Sequence, residues 1–167
     1  MRPPPNGRDG IRYLDAPDLA GPVPVLDAQG AMEVLRQARR IAIVGASSNP
    51  WRASHSVMDY LLTHGYECVP VNPNVERVLG LTAHPSLEAA VAASAGAPFD
   101  IVDVFRRAEF TPDVARSAVA LGCGTLWLQQ GVVSWEAAAI AHEGGLAVVM
   151  DRCTAVDHRP LRAGVAG

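Results

Sequence analysis

The run Ile41-Ala42-Ile43-Val44-Gly45-Ala46-Ser47-Ser48-Asn49-Pro50 constrains the fold of this chain more than any other stretch. An apolar segment passes into a turn of small residues, and a helix-forming segment follows from Ser54. Such a turn, set between a buried strand and a helix N-terminus, lets backbone come close to a phosphate. The free N–H groups and the positive dipole end of the helix then hold the anion. The first expectation is a phosphate-bearing nucleotide ligand on a Rossmann-like sheet.

The remaining pattern agrees with that start. Asp27 to Arg40 reads as a helix capped by Asp27, with Met32, Leu35 and Ala38 at helical spacing. Strands are expected at Ile41–Ala46, Tyr66–Asn72, Asp100–Phe105, Thr125–Gln129 and Leu146–Met150. Helices are expected at Ser54–His64, from Ser86 onward, at Thr111–Leu121 and at Ser134–Glu143. Gly65, Gly122 and Gly144-Gly145 stop three of them, and Thr111 is placed at a cap with Pro112 at the first helical position. Five strands separated by helices imply an α/β fold: a doubly wound parallel sheet in a three-layer α/β/α domain. Apolar strands of this kind suit a sheet covered on both faces. Residues 1–26 are rich in proline and carry little periodicity, so they read as a flexible arm. The domain is expected over 27–161, with 162–167 as a tail.

A chain of 167 residues suits one domain with a substantial core. Its net charge of −3 gives no electrostatic case for nucleic acid. All 14 basic residues are Arg, which excludes a Schiff-base lysine and a P-loop lysine. No apolar run reaches the roughly 20 residues that span a bilayer, and the N-terminus lacks an apolar signal core. The expected location is the cytoplasm. Cys68, Cys123 and Cys153 are widely spaced and odd in number, as reduced thiols would be. No histidine pair has i, i+4 spacing and no cysteine pair lies two residues apart, so no metal site is expected.

In an open α/β sheet, ligands bind beyond the carboxyl ends of the strands. Those ends carry Gly45-Ala46-Ser47, Asn72-Pro73-Asn74, Phe105-Arg106-Arg107, Gln129-Gln130-Gly131 and Asp151-Arg152-Cys153. The first turn lacks the spaced glycines of a dinucleotide fingerprint and runs on through Arg52 and Ser54. The second strand ends on Asn72 rather than on the carboxylate that would take NAD ribose hydroxyls. Arg77 follows and suits a phosphorylated ribose, as in CoA or NADP. Phe105 and Arg106 offer a stacking plane and a bidentate phosphate ligand. Cys153 beside Arg152 is either a reactive thiol or an inert one. Asp103 lies inside a strand with no Ser or His partner, so no hydrolytic triad assembles.

These residues carry a resemblance. Gly45-Ala46-Ser47, Pro50, Arg52, Ser54 and Val57, then Tyr60-Leu61-Leu62, Gly65-Tyr66 and Val69-Pro70-Val71-Asn72-Pro73-Asn74, resemble the small bacterial CoA-binding proteins. Val102-Asp103-Val104-Phe105-Arg106-Arg107, Leu126-Trp127-Leu128-Gln129, Gly131-Val132-Val133 and Val149-Met150-Asp151-Arg152-Cys153 extend the likeness over about 35–161. That family is a single Rossmann-like domain related to the CoA-binding domain of the succinyl-CoA synthetase α subunit. The resemblance implies coenzyme A across the strand ends. Gly45, Ala46 and Ser47 would face phosphate, and Asn72, Pro73 and Asn74 would border the adenosine. Phe105 and Arg106 would contact the nucleotide or pyrophosphate, and Gln129, Gln130 and Gly131 the pantetheine. The ligase's phosphohistidine domain has no counterpart in these motifs, so binding of CoA or an acyl-CoA is expected without the ligase reaction. An NADP-dependent oxidoreductase or NADP-sensing regulator stays open. So does an interaction subunit with a vestigial nucleotide site whose Pro-rich arm docks a partner; a homodimer or a protein partner is also open.

Overall fold

Alternating buried strands and amphipathic helices produce one continuous sheet with helices on both faces. The computed structural model describes residues 11–15 and 22–165. Strands β1 (Ile11–Asp15) and β2 (Pro22–Leu26) form an antiparallel pair. Then come α1 (Ala28–Gln37), β3 (Arg40–Val44), α2 (Ala53–Thr63) and β4 (Glu67–Val71). A short antiparallel pair, β5 (Arg77–Val78) and β6 (Leu81–Thr82), leads to α3 (Leu87–Ala93). The chain continues through β7 (Ile101–Val104), a 3₁₀ turn (Ala108–Phe110) and α4 (Thr111–Ala120). It then forms β8 (Thr125–Leu128), α5 (Trp135–Glu143), β9 (Ala147–Val149) and α6 (Thr154–Val165).

The main sheet is parallel throughout, in the order β4-β3-β7-β8-β9. Successive residues of each strand feed opposite faces, because side chains alternate along a strand. Ala42, Val44, Val102, Val104, Leu126 and Leu128 pack under α3, α4 and α5. Ile41, Ile43, Ile101 and Trp127 pack on the other face against Leu35 of α1, Met58 of α2 and Ala155 of α6. The doubly wound α/β fold is therefore the one expected, with helices on both sides. Strand order reverses at β3, which lies between β4 and β7, and that is where such sheets open a crevice.

The caps follow the sequence in three places. Asp27, Ser86 and Ser134 each accept a hydrogen bond from the amide three residues on, at 3.0, 3.1 and 3.2 Å. Thr111 does not cap α4 as expected. A 3₁₀ turn precedes the helix, and the Thr111 hydroxyl donates to the Ala108 carbonyl at 2.7 Å.

Two expectations about the ends change. Residues 22–26 are part of the domain rather than of an arm: Val23 and Val25 are buried, and β2 lies against β9 and α5. Proline-rich composition concealed a strand, since Pro22 and Pro24 leave alternate valines free to enter the core. The remainder of the arm, 1–10 and 16–21, lies outside the described residues. At the other end α6 runs to Val165, past the boundary expected at 161, although Pro160 lies within it. Of the expected tail, 166–167 lies outside the described residues.

Candidate functional site

A cleft of about 420 Å³ opens at the reversal point of the sheet, between the ends of β3, β4 and β7 and the starts of α3 and α4. Six of the residues expected at the site meet in it: Gly45, Asn72, Pro73, Asn74, Phe105 and Arg106.

Their positions have local causes. Gly45 has φ +85°, a left-handed conformation that favours glycine, and a Cβ there would lie 2.9 Å from the Phe105 carbonyl oxygen. The glycine thus lets β7's loop close over the end of β3. Asn72 ties two loops together. Its Nδ2 donates to the Ala46 carbonyl at 2.8 Å, and its Oδ1 accepts from the Asn74 amide at 2.8 Å. Asn at this position therefore braces the cleft wall, a role an NAD-type carboxylate could not fill toward a carbonyl. The Arg106 guanidinium lies 4.6 Å from the centre of the Phe110 ring, a cation–π contact that holds it at the mouth.

Other expected residues stand outside the cleft lining. Ala46 is fully buried. Ser54 is also buried, and its hydroxyl accepts from the Ser47 amide at 3.1 Å, so this pair shapes the turn after β3 from within. The Gly45 amide is engaged too, donating to the Val71 carbonyl at 2.9 Å. Arg52 is exposed at the N-cap of α2, where no side chain caps the first amides. Arg77 sits on β5 and is not among the residues that line the cleft. Gln130 and Gly131 are exposed one strand further on, and the Gly131 amide donates to the Asp151 carboxylate at 2.7 Å.

Gln129 is the clearest departure. It is 5% exposed, and its Nε2 donates to Asp103 at 2.7 Å and to the Thr154 hydroxyl at 2.9 Å. Thr154 in turn donates to the other Asp103 oxygen at 3.0 Å. Asp103, buried in β7, needs these donors, and burial still pushes its carboxyl up to about 7. Cys153 is partly exposed, while Arg152 is bound twice by Asp157, at 2.7 Å each.

Sequence reasoning missed the far wall of the cleft. Glu88 and Ser86 come from α3 and its cap, and Asp113 and Ser117 from α4. A hydrogen bond from Ser117 holds the Glu88 carboxyl below its ordinary range. A signal was available: Asp113 and Ser117 are four apart, so they share a helix face, and α4 begins just after the β7 end. The cleft thus sets arginines, Arg106 and Arg107, against acceptors, Glu88 and Asp113. That pairing suits a ligand with phosphate at one end and amino hydrogens at the other.

A family model described as "CoA binding domain" matches residues 39–159. The chain belongs to that family. The matched span runs from the start of the main sheet into α6, so the CoA-binding domain includes every cleft residue and leaves out β1, β2 and α1. Among relatives, the "Uncharacterized protein YneT" of Bacillus subtilis (strain 168) is 41% identical over 126 residues, spanning 75% of this chain and 90% of its own. A hypothetical protein from Pyrococcus horikoshii OT3 shares 36% identity with a TM-score of 0.74, covering 82% of this chain and 93% of that one. The cell-free ID.343 structure from Thermus thermophilus shares 36% identity at a TM-score of 0.72, covering 81% and 99%. No helix of the described residues is long and apolar enough to cross a membrane, and those residues hold no group of three or more metal-ligating side chains.

Proposed function

We propose that this chain binds coenzyme A, or an acyl-CoA, by its adenosine-phosphate end in the β3/β7 cleft, and that it acts as a carrier, sensor or regulatory domain. The observation that carries the reading is the meeting of Arg106 and Arg107 with Glu88 and Asp113 inside the span matched by the CoA-binding family. Guanidinium groups bind phosphate through paired, charge-assisted hydrogen bonds. The carboxylates accept from the exocyclic amino group of adenine, and Phe105 and Pro73 offer apolar surface to its ring. The pantetheine arm then runs over the strand ends toward Gln130 and Gly131. A cleft of about 420 Å³ lies within the ordinary range for small-molecule sites.

A role without catalysis rests on the fate of the titratable groups. Asp103, whose carboxyl burial pushes up to about 7, lies beneath Gln129 rather than on the cleft wall. The nearest arginines serve to bind rather than to transfer protons, since guanidinium stays charged.

Calorimetric titration with CoA, dephospho-CoA, NADP and NAD tests the reading. Micromolar CoA binding that weakens without the 3′-phosphate supports it. Binding of NADP in place of CoA moves the protein to the oxidoreductase class. Silence from all four ligands leaves the nucleotide site vestigial and favours an interaction subunit.

A further inference from the structure

A second hollow, of about 650 Å³, lies at the opposite end of the sheet, between the end of α1, the turn before β4, and α6. The nucleotide cleft opens at the carboxyl ends of the strands. This hollow opens where they begin, beside Glu67 at the start of β4. Its apolar surface comes from Leu35, Tyr66 and Leu161. Its polar groups are Arg36, Arg39, Glu67, His64 and His158.

Charge in the hollow is unbalanced. Arg36 pairs with Glu33 on the same helix, and Glu67 accepts from Arg40 at 3.1 Å. Arg39 uses its backbone amide on Asp100 at 2.9 Å, and its guanidinium has no carboxylate partner among the described residues. Two imidazoles line the same hollow. The rings of His64 and His158 are 5.1 Å apart, within an aromatic group completed by Tyr60 and Tyr66. His64 Nδ1 lies 2.7 Å from the Tyr60 carbonyl, so it carries the proton and donates. His158 Nδ1 lies 3.0 Å from the Tyr60 hydroxyl. Each ring thus anchors one nitrogen and keeps Nε2 for another partner. Among the described residues no third His, Cys, Asp or Glu joins the pair in a group that could hold a metal.

We propose that this hollow is a second ligand site, for a small carboxylic acid with a compact apolar body. Arg39 and the two imidazoles bind the carboxylate, and Leu35, Tyr66 and Leu161 seat the body. The site is independent of the coenzyme A reading. Binding is coupled to proton uptake. An imidazole whose Nδ1 is committed as a donor, as in His64, has only Nε2 left for a carboxylate, and a carboxylate there needs a proton on that nitrogen. Burial first, then His64 and Arg162, hold the His158 imidazole below its ordinary range in the free protein. The charged and titratable groups around the pair are Arg36 and Arg39 from the α1 end, Tyr60 from α2, Tyr66 and Glu67 at β4, and Arg162 from α6. An anion offsets the cationic ones and favours the protonated imidazoles, so affinity rises as pH falls.

The test titrates the full chain with benzoate while following the imidazole signals of His64 and His158 by NMR. Benzamide serves as the neutral control, and the titration is repeated with CoA present. Saturable shifts of both imidazoles with benzoate alone, stronger at lower pH and unchanged by CoA, support the site. So does a loss of about tenfold or more in benzoate affinity for Arg39→Ala, an exposed side chain whose fold contact is through its backbone. Equal response to benzamide, absence of any response, displacement by CoA, or an unchanged affinity in Arg39→Ala overturns it.

Discussion

Gln129 donates to Asp103 across 2.7 Å beneath the strand ends, so the residue that closes β8 serves the sheet rather than the ligand. The carboxyl it supports is pushed up to about 7 by burial, well above the 3.8 of a free Asp. Below the unfolded value both states hold the proton. Between the two values the folded state keeps it and the unfolded state does not, so stability falls as pH rises toward 7 and then levels off. Asp103→Asn removes this slope. Melting curves of the two proteins should diverge by the order of a few kcal/mol in the variant's favour from acid to neutral pH. Parallel curves would rule out a protonated Asp103.

Gly45→Val should fail twice. The left-handed φ costs a non-glycine residue about 1–2 kcal/mol, and the added Cβ meets the Phe105 carbonyl oxygen at 2.9 Å. The variant should melt at lower temperature and lose CoA affinity, because the Phe105–Arg106 loop must move away. Retained affinity in calorimetry would remove Gly45 from the site.

Arg106→Ala should weaken CoA binding by about 1.5–3 kcal/mol, the range for a hydrogen bond to a charged group. Its side chain is exposed and its contact with Phe110 is on the surface, so the fold should be unaffected. A folded variant that binds CoA as tightly as the parent would exclude Arg106 as a phosphate ligand.

Val25→Ala should destabilise the domain by about 1–3 kcal/mol, through lost burial and the void left behind. Deleting residues 1–26 should lower the melting temperature further, since Val23 leaves the core too. A deletion variant as stable as the full chain would return these residues to the status of an arm.

The sheet was legible because its signals are local. Apolar runs such as Ile41–Val44 and Leu126–Leu128 can only be buried strands between helices, and Asp27, Ser86 and Ser134 announce their helices as caps. The near wall of the cleft was legible for the same reason: Gly45, Asn72 and Arg106 stand at strand ends, whose place follows from topology. What stayed hidden depends on contacts between distant segments. Nothing in the sequence near Gln129 shows that Asp103 claims it, or that Thr154 joins them. Helix α6 was hidden by Pro160, and β2 by prolines that read as a linker. Glu88 and Asp113 reach the cleft only because α3 and α4 pack side by side.

Strand β2 also bears on the order in which the molecule can assemble. Val23 and Val25 leave the ribosome early, whereas β9 and α5, against which they rest, are among the last segments made. For most of synthesis those valines have no docking place, and contacts of such long sequence separation form slowly. Strand β2 therefore behaves as a clasp. It is written well before the segments it fastens to, and until they dock one flank of the nascent sheet stands uncovered.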